Sequence, residues 1–257
     1  MRPYVLSETN YRDIKKTDYA VAVLPIGATE PHNLHLPYGT DTLTVARICE
    51  LACERAWAMG ARVAVLPAIP FGVNTNTLDF PMVINMNPTT QLAVIGDIVD
   101  SLERGGVRKL VLVNGHGGNE LGFILRQLHG GPVFLSLINW WQVPRDQAAE
   151  ILDTPGDHAD EMETSVMMYL WPELVLPLAE ADAGKVRPSR FEAVNRGWVK
   201  ITRPWHLLTT NSGSGDPSAA TTEKGARYVD LAVERIAGYL KQLADAQMDA
   251  TFPFAAR

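Results

Sequence analysis

Residues 109–120 read KLVLVNGHGGNE. The opening run, 109–113, is apolar at nearly every position, so as a strand it has no wet face and suits a sheet covered on both sides. It breaks into a glycine-rich loop around His116, and residues 120–129 then take up a helical pattern. Strand, loop and helix in that order form the repeating unit of an α/β fold. Outward in both directions the unit recurs. Residues 19–26 (YAVAVLPI), 61–66 (ARVAVL) and 133–138 (VFLSLI) read as further strands, and 42–59, 88–104, 161–169 and 222–246 as helices. Asn87 followed by Pro88 is a helix start, and Gly105-Gly106 a helix stop. The alternation predicts a three-layer α/β/α fold with a mostly parallel central sheet. Residues 185–205 are less regular and are expected to hold a β-hairpin at the sheet edge. With no repeat, low-complexity tract or linker, residues 1–257 read as a single domain.

The bulk numbers agree. Of 257 residues, 46% are hydrophobic and 20% charged, an ordinary globular balance. A net charge of −6 argues against broad binding to nucleic acid, which wants a basic face. The start, MRPYVLSETNYRDIKK, lacks the apolar core of a secretory signal, and no apolar run approaches membrane-spanning length. The expectation is a cytoplasmic protein that works on neither membrane nor nucleic acid. Cys49 and Cys53 stand at C-x3-C spacing and read as small hydrophobes on the core side of a helix.

In such sheets a ligand site lies beyond the carboxyl ends of the strands. The first strand runs into GATEPHNLHLPYGTD, which holds Glu30, His32, His35 and Asp41; the third runs into the His116 loop; the fourth runs into NWW, with Trp140 and Trp141. A phosphate-cradling reading of the His116 loop fails. From Gly115 the third glycine of G-x-G-x-x-G is replaced by Glu120, and there is no G-K-[ST]. Later, DHADEMETS (157–165) crowds His158, Asp160, Glu161 and Glu163 at a helix start. Mixed imidazole and carboxylate sets suit Zn²⁺, Mn²⁺ or Fe²⁺. Glu30, His32, Asp41, His116 and one of the late glutamates make two histidines with three carboxylates. That is too many for one open ion and the right number for two ions bridged by a carboxylate. His35 reads as a supporting residue behind them.

These stretches resemble the creatininase (creatinine amidohydrolase) family over nearly the whole chain. The resemblance rests on LPIGATEPHNLHLPYGTD, LVNGHGGN, HADEMETS and GSGDPSAATTEKG. It implies a metal-dependent hydrolase with a closely similar α/β fold, commonly a homo-oligomer such as a hexamer. Family members open cyclic amides, deformylate pyrimidine precursors or process peptides. Matched by motif, Glu30, His32, Asp41 and His116 are implied to be metal ligands, with Asp41 as the bridge. Creatininase carries a glutamate two residues past the NGH histidine; here that place is Gly118, so Glu163 is implied as the last ligand, with Glu161 the alternative. His158 matches a histidine proposed to shuttle protons. The chain departs from the family in reading EPHN for E-Q-H-G and GVNTNTLDFPMV at 72–83 for the substrate loop. The metal chemistry is kept while the substrate surroundings are rewritten, which argues against creatinine itself.

The expected function is therefore divalent-metal-dependent hydrolysis of a small cyclic substrate, opening an amide C–N bond with a hydroxide bridging two ions, zinc or manganese before iron. Asn74, Asn76, Trp140 and Trp141 are the candidate substrate contacts. A second reading keeps the metals and opens a keto-cyclitol or a sugar-derived ring, at a C–C or ester bond. A third is a non-catalytic α/β protein that binds a small ligand.

Overall fold

The computed structural model describes residues 1–255. The four apolar runs form one sheet in the order β2-β1-β3-β4, parallel throughout. The strands are β1 (Val21–Ile26), β2 (Val63–Val65), β3 (Lys109–Asn114) and β4 (Phe134–Asn139). The longer helices are α1 (Thr40–Ala58), α2 (Pro88–Arg104), α3 (Gly122–Gln127), α4 (Glu161–Leu170) and α5 (Thr222–Asp245). Each predicted strand and helix is present, with ends shifted by a residue or two.

Side chains alternate across the sheet and define its two covered faces. Val21, Val23, Val63, Val65, Val111 and Val113 pack against Ile48, Cys49 and Cys53 of α1 and Val229, Ile236 and Leu240 of α5. Ala22, Leu24, Ile26, Leu110 and Leu112 pack against Ile95 and Val99 of α2 and Ile124 of α3. This is the expected three-layer arrangement. Both cysteines are free and buried in the first of these cores, and burial pushes their thiols up, away from the reactive thiolate.

Residues 185–205 form no hairpin. Before Trp205 the stretch makes one helical turn, Glu192–Asn195, and is otherwise turns, bends and irregular chain. The Ser189 backbone N–H donates to Asn195 Oδ1, and Asn195 Nδ2 donates back to the Ser189 carbonyl. A side chain thus satisfies backbone groups that a ladder would need. Beyond the turn the Trp205 backbone N–H donates to the Asn76 carbonyl, which ties this segment to the loop after β2.

The N-terminal segment closes one sheet edge, where Val5 bridges Val65 and the Val65 N–H donates to the Tyr4 carbonyl at 2.8 Å. The opposite edge is β4, whose residues are all half-buried. The neighbouring strands β1 and β3 end level with one another, Ile26 opposite Asn114. Their following loops are therefore adjacent in space, and the N-terminus of α1 rises between them.

Candidate metal centre

Asp41 lies in the first turn of α1, and the position of that turn depends on Gly115. A Cβ on Gly115 would stand 2.8 Å from the Asp41 carbonyl and 2.8 Å from Val45 Cβ. Only a bare backbone lets α1 seat against the loop after β3, with Asp41 facing both His32 and His116. Asp41 Oδ1 is 3.1 Å from His32 Nε2 and Oδ2 is 3.0 Å from His116 Nδ1. His116 Nδ1 is also 3.0 Å from Glu30 Oε1, and Glu163 Oε2 approaches His32 Nε2 to 3.9 Å. Two triads result, Glu30–Asp41–His116 and His32–Asp41–Glu163, with Asp41 common to both. A third grouping joins Glu30, His32 and His158.

The imidazoles are held the way metal-ligating histidines are held, by a hydrogen bond from the far nitrogen to a backbone carbonyl. His116 Nε2 donates to the Val73 carbonyl at 3.1 Å, His32 Nδ1 to the Glu30 carbonyl at 3.1 Å and His158 Nε2 to the Pro31 carbonyl at 2.8 Å. A carbonyl cannot donate, so in each neutral ring the remaining nitrogen turns a lone pair toward carboxylates. For His116 one proton could serve two oxygens at 3.0 Å only as a bent, shared bond, and Asp41 Oδ2 is a buried oxygen with no well-directed hydrogen bond. Lone pairs and carboxylates converging on shared points fit divalent cations, and the mixed nitrogen and oxygen set suits zinc, manganese or iron.

The charges show the same strain. Burial lowers the His32 imidazole, but Asp41 and Glu163 overcome it and raise it to about 10. His116 is also lowered by burial and carried well above its usual range by Glu30 and Asp41. Burial pushes the Glu163 carboxyl up to about 7 against the pull of His32. His158 falls below the ordinary range because it is buried beside His32. Protons and divalent cations compete for such a set.

Glu161 is placed elsewhere. It is buried against Lys224 at 2.5 Å and accepts from the Asp153 and Thr154 N–H groups, so of the two late glutamates only Glu163 faces the triads. The Asp160 carboxylate caps α4 by accepting from the Glu163 N–H, which sets where Glu163 starts. His35 sits behind His32, bonded to Thr164 Oγ1 at 2.8 Å, and burial lowers it to about 4, keeping it neutral.

Above the triads is a cavity of about 90 Å³, lined by Asn76, His158, Arg203, Trp205 and Asp157 together with Glu30, Asp41, His116 and Glu163. Of the four residues expected to contact substrate, only Asn76 reaches it. Asn74 is fully buried, its Nδ2 donating to the Thr29 and Ile84 carbonyls, so it holds the loop rather than a ligand. Trp140 is buried beneath Asp41 and Glu163, edge-on to Tyr228 at 6.1 Å. Trp141 lines a different cavity of about 590 Å³ with Tyr228, Met162 and Leu152. That void is larger but contains none of the triads. Two residues the sequence did not single out line the cavity instead. The Trp205 and His158 rings meet edge to face with centroids 5.0 Å apart, and Arg203 lies over Trp205. Gly118 is also explained. A Cβ there would come within 2.4 Å of both His116 Nε2 and the Val73 carbonyl and would split the bond that orients His116.

Comparison with known proteins points the same way. The family model described as creatinine amidohydrolase (creatininase) matches residues 6–240. The chain is 28% identical over 246 residues to the creatinine amidohydrolase of Pseudomonas putida, spanning 86% of this chain and 89% of that one. It is 30% identical over 237 residues to the mycofactocin precursor peptide peptidase of Mycobacterium tuberculosis, 86% of each. A shorter match, 27% over 163 residues, covers 60% of this chain and 51% of the 3-dehydro-scyllo-inosose hydrolase of Thermotoga maritima. Among solved structures, a candidate creatinine amidohydrolase from Bacteroides fragilis superposes with a TM-score of 0.89 at 39% identity, covering 97% of this chain and 99% of that one. A mutant creatininase of Zn–Zn type shares the fold, with a TM-score of 0.78 at 23% identity over 96% of this chain and all of that one.

Proposed function

The chain belongs to the creatininase family, whose members are metal-dependent hydrolases, and from that premise we propose that it holds two divalent ions bridged by Asp41 and hydrolyses an amide C–N bond in a small, preferably cyclic, substrate. The observation that carries this is the pair of triads meeting at one carboxylate, each completed by an imidazole whose far nitrogen is committed to a backbone carbonyl. Glu30 and His116 would hold one ion, and His32 and Glu163 the other. Zinc or manganese is favoured and iron is compatible with the same set. When bound, the ions supply an activated water and polarise the carbonyl under attack.

The side chains do the rest. His158 keeps its Nε2 proton on the Pro31 carbonyl and leaves Nδ1 free beside Glu30, at 3.8 Å, to take a proton from the attacking water. The same Nδ1 delivers it to the leaving nitrogen as the C–N bond breaks, and its lowered basicity makes release easy. Trp205 fixes the ring and excludes water from one side. Asn76 presents a neutral amide to the substrate.

The test is metal analysis beside turnover on a panel of cyclic and linear amides. Asp41→Asn is expected to lose both ions and all turnover, whereas His158→Gln keeps the ions and loses at least a hundredfold in kcat. Full metal content in the Asp41 variant would defeat the shared-carboxylate reading. A second reading, ring opening of a keto-cyclitol or sugar-derived compound, is favoured by the partial likeness to the inosose hydrolase. Including cyclic polyol ketones and lactones in the panel separates the two. We further propose a homo-oligomer working on a small molecule, supported by the exposed Phe191 and Trp198.

A further inference from the structure

Arg203 is the only lysine or arginine lining the cavity above the triads, among the described residues. Two contacts define its setting. Its guanidinium lies 5.3 Å over the Trp205 ring, and Nη1 is 2.8 Å from Asp157 Oδ2. Trp205 is itself buried, tied to the Asn76 carbonyl through its backbone and edge-on to His158 through its ring. The guanidinium is thus held at the cavity by the residue that walls the reacting end. A stacked guanidinium keeps its in-plane N–H fork available, and a fork matches the two oxygens of a carboxylate or phosphate.

The ion pair with Asp157 does not remove that capacity. Both side chains are about half exposed, 52% and 53%, and a solvent-screened pair of this kind contributes little. Asp157 can therefore yield Arg203 to an incoming oxyanion at little cost. The metal centre would add little net field of its own. Two divalent ions with the attacking hydroxide would be balanced by Glu30, Asp41 and Glu163, and Asp157 cancels Arg203. Recognition therefore rests on the fork of Arg203 rather than on the charge of the ions.

We propose that Arg203 is a specificity-determining residue that reads an oxyanion, a carboxylate or a phosphate, on the substrate at the end away from the scissile bond. The substrate class is accordingly a small amide bearing an anionic group. This rests on the metal-centre reading above and narrows it.

The test measures binding by calorimetry on the zinc-loaded protein and needs no turnover. The probes are hydroxamates, whose chelating end goes to the metals, with chains of two to four carbons ending in carboxylate, phosphonate or methyl. The wild type is expected to bind an oxyanion-ended probe at least tenfold more tightly than the methyl-ended one of equal length, and the better oxyanion identifies the group read. Arg203→Met should abolish that difference and leave the methyl-ended affinity within twofold, while Arg203→Lys keeps part of it. Asp157→Asn should preserve or widen the gap. Equal binding of charged and methyl ends by the wild type overturns the proposal. So does a gap that survives in Arg203→Met, or a loss in that variant shared equally by every probe, which would make Arg203 a brace for Trp205. A protein that takes up no zinc and binds no hydroxamate defeats the metal-centre reading itself, and this inference falls with it.

Discussion

At the scale of single residues, the site is governed by which nitrogen of each histidine is already committed. His116 shows the dependence most simply, because its orienting bond to Val73 passes through the space a side chain on Gly118 would fill. Gly118→Ala should lower metal affinity by about 10–100-fold, the usual effect of disturbing a ligand's supporting hydrogen bond. Calorimetric titration with zinc would show it, and an unchanged affinity would mean the Val73 bond is dispensable. This residue also illustrates what sequence could convey. NGHGGN marked His116 as an unshielded ligand, and the glycine run around it was plain. Why the second glycine of the pair is needed was not, since the clash is with Val73, which lies 45 positions earlier in the chain. Asn74 misled for a related reason. Its amide is spent on two backbone carbonyls, Ile84 in its own loop and Thr29 in the loop after β1, and a polar residue in a loop looks the same in sequence whether it points inward or outward.

Helices and strands were the most legible scale. Each apolar run of 109–113 type became a strand, because a parallel sheet buried on both faces leaves no polar position to confuse the pattern. Failure came at 185–205, where short turns closed by side chains carry no period at all. That segment then supplies Arg203 and Trp205, so the unreadable element was the one that finishes the cavity. Elements also brace one another away from the site. Lys109 opens β3, and its buried ammonium donates to the Leu243 and Ala246 carbonyls at the end of α5. It thereby satisfies orphan carbonyls and offsets the helix dipole. Lys109→Met should cost about 1.5–3 kcal/mol of stability, the range for a hydrogen bond to a charged group. Since it sits at the end of β3 opposite the His116 loop, denaturant unfolding should register the loss while metal content stays unchanged.

For the whole molecule, the three layers set the chemistry by bringing strand ends together, and no helix among the described residues is long and apolar enough to cross a membrane. One of the exposed apolar stretches of the surface carries two large aromatics. Phe191 and Trp198 are 66% and 73% exposed, with Ile201 and Leu207 close behind in sequence. Large aromatics left in water mark association surfaces more often than chance. The expectation is an oligomer by light scattering, with Phe191→Ser combined with Trp198→Ser shifting the mass toward one chain. A monomeric wild type would count against it. The sheet itself constrains how copies can join. Val5 seals the β2 side from within the chain, so among the described residues only β4 presents an open sheet edge. If copies join through a rim open on one side alone, they pair like edge to like edge across a two-fold axis, and growth halts once the two have met. This one-sidedness guards against runaway fibre formation.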